Sequence, residues 1–228
     1  MIILHIETST HLCSVALSIG KKCIFSRQNT KGMNHAALLS VFIEEAFKHL
    51  NSLNKKIDAV AVSSGPGSYT GLRIGVSTAK GLCYGLNVPL IQVSSLENLT
   101  IEALLQLEDS QPDALLVPMI DARRMEVYSA IYDKNMKMIR EARAEIITEG
   151  SYSELIHNQK IVFFGNGAMK CMPLISGANA IFLEDVHPMA INMITSAVSK
   201  MEAGEFEDLA CFEPFYLKEF FTTAKISG

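Results

Sequence analysis

The sequence lacks the features that mark several common classes of protein. Its five cysteines are an odd number without CxxC spacing, which argues against a disulfide scaffold or a zinc ribbon and fits a reducing cytoplasm. Lysine and arginine (20) do not outnumber aspartate and glutamate (24), so broad nonspecific nucleic-acid binding is not expected. No apolar run approaches the length of a membrane span, and MIILHIETST indicates a first strand, not a signal peptide.

Two nucleotide-binding motifs are also missing from the glycine-rich stretch VSSGPGSYTGLRIG. A P-loop needs lysine after its last glycine, whereas Leu72 follows Gly71 here. A dinucleotide fingerprint needs a third glycine where this chain has Thr70. The loop therefore has two remaining interpretations: its amides present themselves to an anion, or it is a tight turn stiffened by Pro66.

The composition and the order of the predicted strands and helices indicate an α/β protein of two lobes. Hydrophobic residues make up 49% of the chain and charged residues 19%, enough for a substantial core. Three strands (Ile2–Ile6, Ser14–Ile19 and Lys22–Arg27) precede alternating helices and strands, the order of a ribonuclease-H-like, actin-like (ASKHA) lobe. A second strand meander begins after the polar stretch Glu108–Asp113. We therefore expect lobes at residues 1–108 and 109–228, the second smaller and irregular.

Two predicted helices have more apolar surface, or more backbone exposed at glycines, than packing on one core requires. In Thr70–Leu86 four glycines each cost about 1 kcal/mol relative to alanine. At about 100° per residue, one face of that helix collects Gly71, Ile74, Gly75, Thr78, Gly81, Leu82 and Gly85. The helix Asn34–Leu50 has a broad apolar arc that includes Leu38, Leu39, Phe42 and Ala46. We interpret these residues as an interface with another subunit; the alternative is that the two helices pack only on each other.

The turn IETST at the end of the first strand resembles the phosphate-contacting turn of actin-like proteins, with Glu7 in place of their aspartate. A longer acid would misplace a magnesium ion held through water, so retained ATP hydrolysis is not expected. A vestigial nucleotide or anion site would be formed by Glu7, Thr8, Ser9, Ser64, Gly65, Gly67 and Ser68. The alternative is a turn whose hydroxyls bond their own backbone.

The segment DARRMEVY places Asp121, two arginines and Glu126 at the junction of two strands. Arg123 and Arg124 either bind a phosphate or carboxylate, or pair with the two acids in a structural hairpin.

Six stretches carry a resemblance to a known family: ILHIETST, SSGPGSYTGLRIGVSTAKGL, VSSLENL, DARRMEVY, FGNGA and EPFYLK. On these stretches the sequence resembles the TsaB (YeaZ) family, which is related to the TsaD glycoprotease family. The resemblance implies two actin-like lobes and a non-catalytic subunit that binds and activates TsaD in forming threonylcarbamoyladenosine on tRNA. It assigns the helices Asn34–Leu50 and Thr70–Leu86 to the TsaD heterodimer. The ATPase TsaE is expected to join, tRNA to be reached indirectly, and no cofactor, metal or membrane to be involved.

The stretch SLENL bears on catalysis, because TsaD carries metal-binding histidines at the positions of Ser95 and Leu99. Only Glu97 remains, and one carboxylate does not hold a transition metal. Two alternatives stay open: an actin-like ATPase or glycoprotease-like peptidase, and a module that forms a homodimer when alone. We expect Gly75→Leu or Gly81→Leu to abolish TsaD association without disturbing the fold.

Overall fold

The computed structural model describes residues 1–29, 34–107 and 113–218. The first half of the chain forms a mixed five-stranded sheet in the order β3-β2-β1-β4-β5. Its strands are β1 (Ile2–Glu7), β2 (Cys13–Ile19), β3 (Lys22–Asn29), β4 (Ala59–Gly65) and β5 (Leu90–Ser94). The first three form the predicted antiparallel meander, and β1, β4 and β5 run parallel. Gly20, at φ +54°, makes the tight turn between β2 and β3.

Three helices follow the strands of the first half: α1 (His35–Ser52), α2 (Tyr69–Leu86) and α3 (Ser95–Gln106). The Ser68 hydroxyl caps α2 by accepting a 3.2 Å hydrogen bond from the Gly71 amide. Asn87 ends that helix in the left-handed conformation. Ser94 caps α3 by accepting a hydrogen bond from the Glu97 amide.

The second half repeats this topology in a sheet of order β10-β9-β6-β7-β8. Its strands are β6 (Leu115–Asp121), β7 (Glu126–Tyr132), β8 (Met138–Ile146), β9 (Ile161–Phe164) and β10 (Ala180–Leu183). Three helices belong to this half of the sequence: α4 (Ser153–Asn158), α5 (Ala168–Cys171) and, after a 3-10 turn at Ala190–Met193, α6 (Ile194–Ala203). The predicted α/β fold of two ribonuclease-H-like lobes is confirmed.

Two helices cross between the halves. Leu96, Leu99 and Ala103 of α3 pack on the second sheet, whereas Ile194 and the following turns of α6 pack on the first. The first sheet therefore has α1 and α2 on one face and α6 on the other. The predicted division at residue 108 separates the two sheets in sequence, but α3 belongs to the core of the second. Of the boundary segment itself, residues 108–112 lie outside the described residues.

After α6 the chain returns to the first lobe as an irregular segment, residues 205–218, which we call the C-terminal strap. The Glu207 amide donates to Leu90 O (2.9 Å) on the edge strand β5, and the Phe215 amide donates to Ser64 O (2.7 Å). Lys80 of α2 donates to two strap carbonyls, Ala210 O (3.4 Å) and Phe212 O (3.0 Å). The strap thereby covers part of a sheet edge that would otherwise present unpaired backbone groups. Among the helices described, none is long and apolar enough to cross a membrane.

Candidate functional site

Glu7 ends β1 as a fully buried carboxylate with both oxygens in use. Oε1 accepts a 2.6 Å hydrogen bond from the Ser9 amide, and Oε2 accepts one of 2.6 Å from Asn98 Nδ2. Burial raises the pKa of Glu7 above its ordinary value, and the hydrogen bonds from Ser9, Ser63 and Asn98 offset part of that shift. The carboxylate therefore ties β1 to α3.

The glycine-rich loop packs directly on the IETST turn. The Ser68 amide donates to Ser9 O at 2.6 Å, and a Cβ atom at Gly67 would overlap with that same carbonyl. The Thr8 amide donates to Ser63 Oγ (3.3 Å). The predicted anion-site residues do come together in space, but these amides donate within the chain.

The strap closes the other side of the loop. Gly65 has φ +110°, and a Cβ atom there would lie 2.7 Å from Phe215 O. Ser64 is saturated as well, because its hydroxyl donates to Val93 O (3.3 Å) while its carbonyl accepts from Phe215. Of the two interpretations of the loop, the structure favours the packed turn.

Gly71 and Gly75 do not belong to an exposed helix face, so the sequence prediction was wrong for these two residues. A Cβ atom at Gly71 would overlap with Thr8 O, and one at Gly75 would overlap with Thr8 Oγ1. Both glycines allow α2 to approach the IETST turn within the same chain. Gly75→Leu would consequently disturb the fold itself.

Leu39 and Ala46 were also predicted at the interface but lie in the core of the first lobe. Leu39 is 2% exposed and Ala46 is fully buried. They pack with Leu4 and Val15 under α1. The apolar arc of α1 is broad because half of it covers the sheet.

The remaining predicted interface residues are half-buried or exposed, and we call them the α1–α2 face: Leu38, Phe42, Ile74, Thr78, Gly81, Leu82 and Gly85. Among the described residues outside the backbone of α2 itself, a Cβ atom at Gly81 or Gly85 would meet no atom within 4 Å. Sequence reasoning missed three exposed apolar neighbours on the same two helices, Val41 (45%), Tyr84 (86%) and Leu86 (46%). Their exposure is the signal of surface left uncovered by the chain itself.

The α3 residues compared with the TsaD histidines are part of the packing. Ser95 is fully buried, and Leu99 is 1% exposed. The Glu97 carboxylate accepts a hydrogen bond from the Ser196 hydroxyl of α6. Across residues 1–29, 34–107 and 113–218, no three histidine, cysteine, aspartate or glutamate side chains form a group that could hold a metal ion.

The two arginines of DARRMEVY lie at the tip of the β6–β7 hairpin and do not pair with the neighbouring acids as one interpretation expected. Asp121 forms an ion pair with Lys170, and Glu126 forms one with Lys218 of the strap. The hairpin was predicted; the lysine partners were not, because they come from distant parts of the sequence.

Comparison with known proteins identifies the family. A family model described as TsaD, tRNA N6-adenosine threonylcarbamoyltransferase, matches residues 29–208. A protein of Buchnera aphidicola subsp. Baizongia pistaciae, named tRNA threonylcarbamoyladenosine biosynthesis protein TsaB, is 30% identical over 169 residues, covering 72% of this chain and 75% of that relative. The chain belongs to the TsaB (YeaZ) family, which is related to TsaD.

Other members extend the comparison. The TsaB protein of Bacillus subtilis is 33% identical over 132 residues, which cover 58% of this chain and 55% of that protein. The match thus spans about half the length of that curated relative. The structure titled YeaZ from Pseudomonas aeruginosa superposes with a TM-score of 0.76 at 23% identity, covering 95% of this chain and 99% of that one. Family names and fold therefore agree with the resemblance read from the motifs.

Proposed function

We propose that this chain is a non-catalytic subunit that binds TsaD and activates it in forming N6-threonylcarbamoyladenosine. The modified adenosine would lie beside the anticodon of tRNAs that read codons beginning with A. In this proposal TsaD contributes the transfer chemistry, TsaE joins the complex, and the reaction takes place in the cytoplasm. Relatives of this chain are named for threonylcarbamoyladenosine biosynthesis, which supports the assignment of the pathway.

The observation that carries the proposal is the α1–α2 face. Phe42 on α1 and Ile74 and Leu82 on α2 pack only partly against the core, and Leu38 on α1 is also half-buried, so their outer surfaces stay in water. Gly81 leaves backbone uncovered beside them, where a partner helix could approach closely. Apolar side chains around a bare backbone stretch are typical of the centre of a protein–protein interface.

A non-catalytic role is supported by the hydrogen bonds that two candidate catalytic acids, Glu7 and Glu97, already form within the chain. Glu7 is saturated by Ser9 and Asn98, and Glu97 is bonded to Ser196. Either carboxylate would have to break these contacts to serve an ATPase or a peptidase. The remaining alternative, a homodimer, would use the same face on a second copy of the chain.

Reconstitution tests the proposal. Purified TsaD, TsaE, tRNA and the threonylcarbamoyl adenylate are assayed with and without this chain, and modified adenosine is quantified. We expect product only when the chain is present. Equal activity of TsaD without the chain would refute the accessory role, and turnover by the chain alone would favour an enzyme.

The interface is tested by Gly81→Leu, which places a large side chain in open space. We expect the isolated variant to fold normally and to lose TsaD in a pull-down. Ser199→Leu on α6 is the matched control, because that exposed position lies on the opposite face of the first sheet. Normal TsaD capture by Gly81→Leu would contradict the assignment, and sedimentation of each variant alone shows whether the face forms a homodimer.

A further inference from the structure

The tip of the β6–β7 hairpin carries two positive charges that the described residues do not compensate. Arg123 and Arg124 are exposed, and both backbones are in the left-handed region, at φ 69° and 49°. The acids beside them already have lysine partners. Within the described part of the chain, neither guanidinium forms an ion pair or a hydrogen bond.

Hydrogen bonds with α5 and with Asp121 hold the backbone of the hairpin tip in place. Lys170 of α5 donates to Arg124 O and to Glu126 O, both at 2.7 Å. The Arg123 amide donates to Asp121 Oδ1 at 2.9 Å. These bonds fix the points from which the two arginine side chains leave the hairpin, so less entropy is lost when a ligand binds.

Further cationic and aromatic side chains lie on the strap and on the first lobe. Lys218 pairs with Glu126, and the Tyr216 ring, two residues earlier, contacts Tyr69 at 4.9 Å between centroids. Arg73 of α2 lies over the Tyr69 ring at 4.1 Å. We call this the basic–aromatic surface, formed by Tyr69, Arg73, Arg123, Arg124, Tyr128, Tyr216 and Lys218.

Tyr128 joins the hairpin to this surface. Its pKa is raised by burial; the positive charges of Lys218 and Arg123 lower it, and the negative charge of Glu126 raises it. Cationic side chains and tyrosine rings thus occur together on both lobes, in a chain whose formal net charge is −4.

We propose that the basic–aromatic surface binds the sugar–phosphate backbone of an RNA strand. Arginine guanidinium groups match phosphate oxygens in a bidentate geometry, and tyrosine rings give unstacked bases a surface on which to stack. An acidic peptide would satisfy the arginines but would leave the rings unused. The choice of tRNA as that RNA rests on the proposed function; the surface itself does not.

The test measures tRNA affinity of the complex between this chain and TsaD over a range of KCl concentrations. The variant is Arg123→Gln/Arg124→Gln, and Arg143→Gln is the control, an exposed arginine of the same lobe that already pairs with Glu145. Losing two phosphate contacts should weaken binding on the order of 10- to 100-fold at 0.1 M salt and make the log–log salt slope shallower by about 2. The control should stay near the wild-type affinity, and Arg123→Lys/Arg124→Lys should restore most of the slope.

Unchanged affinity and slope in the glutamine variant would overturn the proposal. The proposal would also be overturned if the glutamine variant captured less TsaD while the complex that still forms bound tRNA with unchanged affinity. The hairpin would then contact TsaD and not RNA. If the wild-type chain itself fails to capture TsaD, the proposed function fails, and the same titration on the chain alone still decides the RNA surface. Absence of salt-dependent binding there would exclude it.

Discussion

Asn98 Nδ2 donates to Glu7 Oε2 at 2.6 Å although the two residues are 91 positions apart in sequence. The same side chain accepts a 3.2 Å hydrogen bond from the Met189 amide through Oδ1. One amide group thus joins the end of β1, helix α3 and the segment before α6. Glu7, the residue compared above with the aspartate of actin-like proteins, therefore helps to connect the two lobes.

Glu7→Ala should destabilise the chain by about 3 kcal/mol, because it leaves the Ser9 amide and Asn98 Nδ2 buried without acceptors. Burial raises the folded-state pKa of Glu7, so the folded protein holds this proton more tightly than the unfolded chain. The contribution of Glu7 to wild-type stability should therefore fall as pH rises above about 4.5, so that the advantage of the wild type over Glu7→Ala shrinks. Urea unfolding at several pH values checks this, with the exposed Glu44→Ala as control. An advantage that grows with pH would contradict the assignment.

Gly75→Ala and Gly81→Ala should act in opposite directions although both lie in α2. The new Cβ at position 75 overlaps with the fully buried Thr8 side chain, and we expect a loss of a few kcal/mol. At position 81 the Cβ meets open space, so the better helix propensity of alanine should add up to about 1 kcal/mol.

The contact with Thr8 can be isolated by a double variant. Thr8 Oγ1 has no hydrogen-bond partner among the described atoms, so Thr8→Ala removes the overlapping group without breaking a hydrogen bond. Thr8→Ala/Gly75→Ala should be more stable than the sum of the single changes predicts. Strict additivity in denaturant unfolding would show that Gly75 is constrained by something else.

His5 should make the chain sensitive to acid. It is fully buried in β1, its Nε2 lies 2.9 Å from Ser18 Oγ, and burial lowers its pKa to about 3. The unfolded chain takes up the proton near pH 6.5 while the folded one does not, so stability is lost as pH falls from 6.5 toward 3. Between pH 6.5 and pH 5 the loss should be about 2 kcal/mol.

His5→Gln keeps a hydrogen-bonding side chain at this position and should flatten that decline. The exposed His157→Gln is the control and should leave the pH profile unchanged. Thermal melting from pH 4.5 to pH 8 makes the comparison. Identical slopes in His5→Gln and wild type would assign the acid sensitivity to other groups.

Local patterns in the sequence predicted the sheets well. The predicted strands Ile2–Ile6, Ser14–Ile19 and Lys22–Arg27 differ from β1, β2 and β3 by at most two residues at an end, because short runs between turn residues are typical of strands. Helix α5 was missed, since four residues are too few to show helical periodicity. The loop VSSGPGSYTGLRIG was correctly read as the start of α2.

The wrong predictions concern which other segment of the chain packs against a given helix face. A helical projection places Gly71 and Gly75 on one face with Gly81, but it does not show that Thr8, from the start of the chain, fills the first two turns. The strap was not predicted, because its contacts with the first lobe also come from residues distant in sequence. It is held by Lys80 and by backbone hydrogen bonds, which leave no repeating pattern in the sequence.

The exchange of helices between the lobes affects how the chain can be synthesised. Ile3, Ala59 and Ile91 of the first sheet pack under α6, the last helix described. Until residue 203 has left the ribosome, that face of the sheet has nothing to cover it. The amino-terminal lobe therefore cannot complete its core before α6 has emerged, and a nascent chain stalled before α6 would present a bare apolar surface to chaperones and proteases.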